Sequence, residues 1–419
     1  MMLGLDAQGF PLWQGVLLDL PPKERAVLAL LIRRAPDVVS KQAFADEAWG
    51  GRAMSDESLA RCISRLRRTL PGEAIESVYG AGYRLATEAP EGHARLLAAA
   101  QAAPQAVETH LHARTLAHRR TPAAMQRALG LLRTLVAAHP RYASARVTLA
   151  ETLAGAASWG LLSGHAFAEE GLAQLDEARC IDPRTPGIAT YEAWLLDLAW
   201  RFDEAEARYG EVLGATPDDA DALFLHGWHK LALGDPEAAA QRFRQAMAVQ
   251  PHAPLLRAMH ARALSHAGRW DDALHELRAT EQDHPDNAIA AIFRIGLLAY
   301  SQPEPMLADQ AWRLAEQRDA PPYALSILSY VLARCGRADD ARALIDACFA
   351  CGTATPCSNA MHSAACVALG DTERAARLIV RAVDARCALV PMLLRDPGNS
   401  ALRHHPLVLP LFTQVFGAA

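Results

Sequence analysis

The chain has 419 residues, of which 51% are hydrophobic and 21% charged, with a formal net charge of -5. That length exceeds one ordinary domain, and the balance is globular rather than disordered. A chain acidic overall is not a general nucleic-acid coat, so any contact with nucleic acid must come from a local patch.

No stretch reaches the roughly 18 apolar residues of a spanning helix; the nearest, 288–300, is short and broken by Arg294. Residues 1–6 lack the basic start and apolar run of a signal peptide. The expectation is a cytoplasmic protein without membrane contact, its eight cysteines kept as reduced thiols.

Residues 18–24 lead from a strand into a helix, with prolines and an acid at its start and Val27, Leu28 and Leu31 on its apolar face. Residues 38–41 read as a turn in which Ser40 caps a second helix carrying Phe44 and Trp49. Ser55 then caps a third helix over 56–70. At 100° per residue, Leu59, Ile63, Leu66 and Leu70 share one face within about 60°. Arg61, Arg65 and Arg68 fall on the opposite face, with Ser58, Ser64 and Glu57 beside them. A guanidinium fork there can pair with guanine O6 and N7 or with phosphate oxygens. Two alternating runs over 75–85, around Gly80-Ala81-Gly82, read as a β-hairpin.

These parts, in this order, resemble the OmpR/PhoB-type winged-helix family over residues 1–88. The matching residues are Leu20-Pro21-Pro22-Lys23-Glu24, Val38-Val39-Ser40-Lys41, Trp49-Gly50 and Ser55-Asp56 through Ile63. Arg65-Leu66-Arg67-Arg68, Leu70 and Gly80-Ala81-Gly82-Tyr83-Arg84-Leu85 complete them. The resemblance implies that helix 56–70 enters the major groove of duplex DNA and that the hairpin is a wing reaching toward the minor groove. The residues it puts on DNA are Ser58, Arg61, Ser64, Arg65, Arg67, Arg68, Tyr79 and Arg84. It also implies that loop 50–54 touches RNA polymerase. Tyr79 is a departure, since the family often has a basic residue there. The segment 1–90 holds eleven Lys and Arg against eleven Asp and Glu, so the charge case rests on one helix face.

Residues 89–104 read as a linker, and from 105 to 419 nearly everything reads as helix. Prolines fall at 183, 217, 251 and 285, three intervals of 34. Gly234 and Gly268, and Gly336 and Gly370, keep the same spacing. Small residues recur in phase (Ala205, Ala239, Ala273, Ala341, Ala375), each followed four later by a bulky one (Tyr209, Phe243, Leu277, Ile345, Ile379). This period of 34 resembles the tetratricopeptide (TPR) repeat family. The phase slips at an insertion of about nine residues near 159–165 and drifts after Pro285, and residues 395–416 are expected to cap the stack. The fold expected is mainly α: an N-terminal α+β winged helix-turn-helix followed by an α-solenoid of TPR-like repeats.

The TPR resemblance puts Trp194, Trp228, Arg262 and Tyr330 at one phase on the inner face of the solenoid. Two readings stand: a groove that grips a protein or small ligand, or aromatics that pack between repeats. His226, His229 and His260 have no carboxylate or thiol nearby in sequence to complete a metal set, so they read as surface or packing histidines. Six cysteines lie between 335 and 387, including Cys348-x-x-Cys351 and Cys357; the spacing suggests zinc or a redox switch, but they read first as small apolar fillers. No catalytic motif is present, so neither enzyme activity, cofactor nor metal is expected.

The order winged helix then repeats resembles HilA-type transcriptional activators, and also antibiotic-pathway regulators with helical-repeat domains. It implies a sequence-specific transcriptional regulator, an activator, controlled through its TPR domain. Because a single winged helix rarely supplies enough affinity, dimers or adjacent copies on repeated half-sites are expected. The alternative is a TPR adaptor whose winged helix no longer reads DNA.

Overall fold

The computed structural model describes residues 3–5, 10–13, 16–18, 20–35, 37–51, 54–70, 75–78, 82–85, 104–119, 121–162, 166–251, 253–285, 288–316, 321–352 and 354–417. An α+β unit is followed by an all-helical one. The expected linker 89–104 lies outside the described residues except for Pro104, which opens a helix.

The first unit begins with three antiparallel strands, β1 (Leu3–Leu5), β2 (Pro11–Trp13) and β3 (Val16–Leu17). Helix α1 (Pro22–Arg34) starts on proline, whose missing N–H is an orphan in a first turn anyway. Its Val27, Leu28 and Leu31 are fully buried. Strand β4 (Val39–Ser40) runs into α2 (Lys41–Ala43), with the Ala43 amide donating to Ser40 Oγ at 3.1 Å. Beyond it the coil widens to a π-type turn over Phe44–Ala48, seating Phe44 in the core where an ordinary helix was expected.

Helix α3 (Asp56–Thr69) is capped as expected, the Ser58 amide donating to Ser55 Oγ at 3.1 Å. Strands β5 (Ile75–Val78) and β6 (Gly82–Leu85) form the hairpin, with β6 between β5 and β4. At Gly82 a Cβ would lie 2.0 Å from the Val39 carbonyl oxygen, so only glycine lets β6 approach β4. Leu28, Leu31, Phe44, Leu59, Leu66 and Leu85 share one core, which clamps α3 between α1 and the hairpin.

The second unit is a stack of antiparallel helix pairs. They begin with α4 (Pro104–His118) and α5 (Pro122–Ala138), then α6 (Ala143–Ser158) and α7 (Ala166–Ile181). Next come α8 (Ile188–Leu198) and α9 (Phe202–Ala215), then α10 (Ala220–Leu233) and α11 (Pro236–Val249). The pairs α12 (Pro254–His266) with α13 (Trp270–Asp283) and α14 (Ala288–Ser301) with α15 (Pro305–Ala315) follow. After α16 (Pro322–Arg334) and α17 (Ala338–Ala350), a broken first helix, α18 (Pro356–Ala360) and α19 (Ser363–Ala368), pairs with α20 (Thr372–Asp384). The chain ends with α21 (Val390–Arg395), a 3-10 turn over Pro397–Leu402, and α22 (Leu409–Phe416).

The phased residues do what the spacing predicts. Ala205, Ala239, Ala273, Ala341 and Ala375 are all 0% exposed, which is what close helix approach requires. Their partners Tyr209, Phe243, Leu277, Ile345 and Ile379 fill the gaps beside them and are buried too. Gly234, Gly268, Gly336 and Gly370 all take positive φ where the first helix of a pair ends.

Three features depart from a plain stack. The insertion crosses the solenoid: Trp159 meets Tyr323 at 4.4 Å between ring centroids, and Thr355 Oγ1 donates to the Gly160 carbonyl at 2.6 Å. Residues 163–165 of that insertion lie outside the described residues. The chain from about residue 388 onward, which includes the expected end cap 395–416, folds back across the repeats. Ala388 joins the core of the first pairs, Met392 that of the middle pairs, and Phe416 stacks on Phe202 at 6.0 Å. Folding back buries apolar residues such as Leu393, which a polar-faced cap would leave wet. Finally, the expectation of eight reduced cysteines is corrected: Cys357 and Cys387 form a disulfide. Their Cα atoms are 5.4 Å apart, within bridging range, because α18 and the turn after α20 are packed together.

Candidate nucleic-acid interface and repeat cavity

Helix α3 divides as the helical period requires. Leu59, Ile63 and Leu66 are at most 1% exposed, while Arg61, Ser64, Arg65 and Arg67 are exposed. The arginine face is nonetheless not clear of acids. Arg61 pairs with Glu57 one turn earlier, both side chains being largely exposed. Arg65 Nη1 donates to Glu24 Oε1 of α1 at 2.9 Å; the glutamate is buried and the arginine side chain 63% exposed. A guanidinium carries five N–H groups, so Glu24 can orient Arg65 while the fork still faces outward.

The remaining expected DNA residues separate by position. Ser58 Oγ lies 2.8 Å from Ser55 Oγ, as part of the helix cap. Arg67 donates through Nε and Nη2 to the Ile75 carbonyl at 3.1 and 2.9 Å, which ties α3 to the hairpin. Arg84 pairs with Glu76 across that hairpin at 2.6 Å. The Arg68 side chain and the whole of Tyr79 lie outside the described residues, as do residues 52 and 53 of the expected polymerase loop.

In the repeats, Trp194, Trp228, Arg262 and Tyr330 line one cavity of about 280 Å³. Trp159, Trp270, Tyr300 and Tyr323 line it as well, and so do Leu389, Met392 and Asp396 from the C-terminal segment. Arg262 Nη2 donates to Asp396 Oδ2 at 3.0 Å across the cavity wall. His266, also in the wall, is held neutral down to about pH 4, by burial first and by the nearby Arg262 charge second.

His226 and His229 are buried rather than on the surface, and carboxylates do reach them. His229 Nδ1 donates to Asp197 Oδ1 at 2.7 Å, and His226 Nε2 to Glu206 Oε2 at 2.9 Å. Asp197 and Glu206 come from the neighbouring pair, 32 and 20 residues away, so nearness in sequence could not reveal them. Among the described residues, no three or more His, Cys, Asp or Glu side chains are grouped to hold a metal ion. The Cys348 thiol is pushed up to about 11, by burial first, with Cys351 adding to it; a reactive or metal-bound thiolate needs the opposite shift.

Residues 15–85 match the family model described as "Transcriptional regulatory protein, C terminal". The N-terminal unit is an OmpR/PhoB-type DNA-binding domain. Over 70 residues the chain is 46% identical to the transcriptional regulator HilA of Salmonella typhimurium, and equally to that of Salmonella typhi. The match covers 16% of this chain and 13% of those relatives, so the likeness belongs to this domain alone. Residues 230–293 match a model described as "Tetratricopeptide repeat", so the helical unit contains TPR repeats. Among solved structures the chain is similar to the human IFIT1 dimer with m7Gppp-AAAA, at 11% identity and a TM-score of 0.45. That match covers 62% of this chain and 68% of the other.

Sequence reasoning missed two residues of the DNA-binding domain that matter to its surface. Glu24 was read only as a helix-start acid, yet it anchors Arg65. Arg25, 4% exposed, donates to the Leu20 carbonyl within the domain and to the TPR unit beyond it. A lone arginine on an otherwise apolar helix face was the available signal. In the cavity, the missed aromatics include Trp159, which stands inside the insertion that broke the 34-residue period.

Proposed function

We propose that this protein is a sequence-specific DNA-binding transcriptional regulator, an activator, whose TPR unit receives the controlling signal. The observation that supports this most is α3: it buries Leu59, Ile63 and Leu66 and turns Arg61, Ser64 and Arg65 outward, inside the matched segment. In this reading α3 lies in the major groove, where Arg61 and Arg65 pair with guanine edges or phosphate oxygens. Arg67 acts by holding the wing against α3, Arg84 braces the two strands of the wing through Glu76, and Tyr79 reaches phosphate with its hydroxyl. A domain of zero net charge gains little from phosphate attraction, so two copies on repeated half-sites supply the affinity. Loop 50–54 offers a contact for RNA polymerase, and the protein works in the cytoplasm, where bacterial DNA is. Either a protein partner or a small ligand in the TPR cavity shifts the equilibrium.

The test is selection of genomic fragments by the purified full-length chain beside an Arg61→Ala/Arg65→Ala variant. Enrichment of a discrete repeated site that vanishes in the variant supports the regulator. Failure of both proteins to enrich any sequence at low salt overturns it. The acids at Arg61 and Arg65 favour a second reading, a TPR adaptor whose winged helix no longer reads DNA; salt-insensitive DNA retention, equal for both proteins, would mark it.

A further inference from the structure

The inner groove of the repeats is partly filled. Residues 389–398 of the same chain lie in it: Met392 is part of the middle core, Asp396 bonds Arg262, and Gly398 packs beside the Tyr330 ring. Across from them, Trp159 packs on Tyr323 and Thr355 holds the Gly160 carbonyl. An extended peptide, which needs a continuous track, finds the track filled by the protein's own segment. What remains is a half-open pocket lined mainly by apolar side chains.

That space is about 280 Å³, nearly twice the roughly 150 Å³ of an engineered apolar cavity that takes up benzene. Trp194, Trp228, Trp270, Phe293, Tyr323 and Tyr330 supply flat π-faces around it. Its charged wall residues, among the described ones, are Arg262 and Asp396, which neutralise each other at 3.0 Å. A charged guest would lose part of its hydration there and find no unpaired counter-ion among these two. One wall group is unsatisfied: Ser158 Oγ is buried and has no hydrogen-bond partner among the described residues. Its bonding capacity is open to a polar atom of a guest or to water.

We propose that this cavity binds a neutral, two-ring aromatic small molecule bearing one hydrogen-bonding group. The inference deepens the reading of the TPR unit as the signal receiver and rests on it only for the consequence at DNA. The rings stack between the indoles, the polar group meets Ser158, and binding fastens residues 389–398 onto the repeats.

Isothermal titration calorimetry of the full chain with 2-naphthol tests it, with 2-naphthoate as the charged counterpart and naphthalene as the one lacking a polar group. One-to-one binding of 2-naphthol is expected, at least tenfold tighter than 2-naphthoate. Ser326→Phe fills the cavity, and Ser326 Oγ bonds only its own helix, to the Tyr323 carbonyl at 2.7 Å, among the contacts described. That variant is expected to keep its helical circular dichroism and lose 2-naphthol binding tenfold or more. Should it misfold, Ser158→Ala substitutes: it weakens 2-naphthol severalfold and leaves naphthalene unchanged. No heat with 2-naphthol, equal affinity for 2-naphthoate, or binding indifferent to both variants would overturn the proposal. Calorimetry needs no DNA, so its outcome is separate from that of the fragment selection.

Discussion

Arg25 of α1 reaches out of the DNA-binding domain and donates to the Thr115 hydroxyl of α4 and, at 3.4 Å, to the Leu111 carbonyl. Beside it Phe10, 1% exposed, lies 3.9 Å from the Arg114 guanidinium and edge-on to His110. His110 in turn bonds Tyr142 and Thr148 of the next pair at 2.9 and 2.8 Å. The first TPR helix is thus joined by specific bonds to α1, the helix whose Glu24 orients Arg65. A displacement of the first repeats has a physical route to the exposed Arg65 side chain.

Arg25→Ala is expected to lower stability by about 1–3 kcal/mol in denaturant unfolding, because several bonds to a buried charged donor are lost together. Thr115→Val removes one of them and should cost about 0.5–1.5 kcal/mol. An Arg25→Ala protein as stable as the parent would show that the two units are not tied through this side chain.

On α3, stability and binding should separate by residue. Arg61→Ala breaks only an exposed ion pair and should change stability by no more than about 0.5 kcal/mol. Arg67→Ala cuts the bonds to Ile75 and should cost about 1–2 kcal/mol. Arg65→Ala should weaken specific DNA binding by about 1–3 kcal/mol if it reads a base. A loss uniform across sequences, with the salt slope reduced by about one, would instead make Arg65 a phosphate contact.

Acid should destabilise the fold through buried neutral histidines. Burial, aided by Arg114, holds His110 down at about 3, and burial with Arg374 holds His362 at about 4. His266 and His226 are also lowered to about 4, burial being the first cause in each. Against 6.5 for the unfolded chain, the folded protein takes up protons later. Stability is therefore whole above about pH 6.5 and declines between 6.5 and 4, by on the order of 1 kcal/mol per histidine at pH 5.5. Denaturation midpoints at pH 7.5, 6.0 and 5.0 check this; a midpoint that holds or rises on acidification contradicts it.

Gly234 and Gly268 close equivalent helices with φ of +86° and +79°. Alanine at either should cost about 1–2 kcal/mol for the left-handed backbone. At Gly268 a Cβ meets nothing within 4 Å, whereas at Gly234 it would come 2.5 Å from Arg395 Nη1. Gly234→Ala alone should therefore also loosen the C-terminal segment, seen as faster amide hydrogen exchange over 389–398. Equal exchange in the two variants would mean that Arg395 moves aside without consequence.

Much of the architecture is legible because it is local. A cap such as Ser55 and the apolar rows of α3 depend on neighbours within two turns. The Ala and Gly phases depend on one repeat meeting the next, so a 34-residue spacing carries them. The same logic placed Trp194, Trp228, Arg262 and Tyr330 on one inner face, and the structure does bring all four to one cavity. It did not show Glu24 at Arg65, 41 residues away, or Asp197 and Glu206 at the histidines.

By itself the sequence determined the kind of each unit: a winged helix with an arginine-bearing α3, then repeats of two helices. Only the tertiary structure decided that the solenoid closes on itself, through Arg262 with Asp396 at a separation of 134 residues and Thr355 with Gly160 at 195. Periodicity fixes how a helix meets its immediate neighbours. Small rotations from pair to pair, summed along the stack, set where distant residues meet, and no spacing in the chain records that sum.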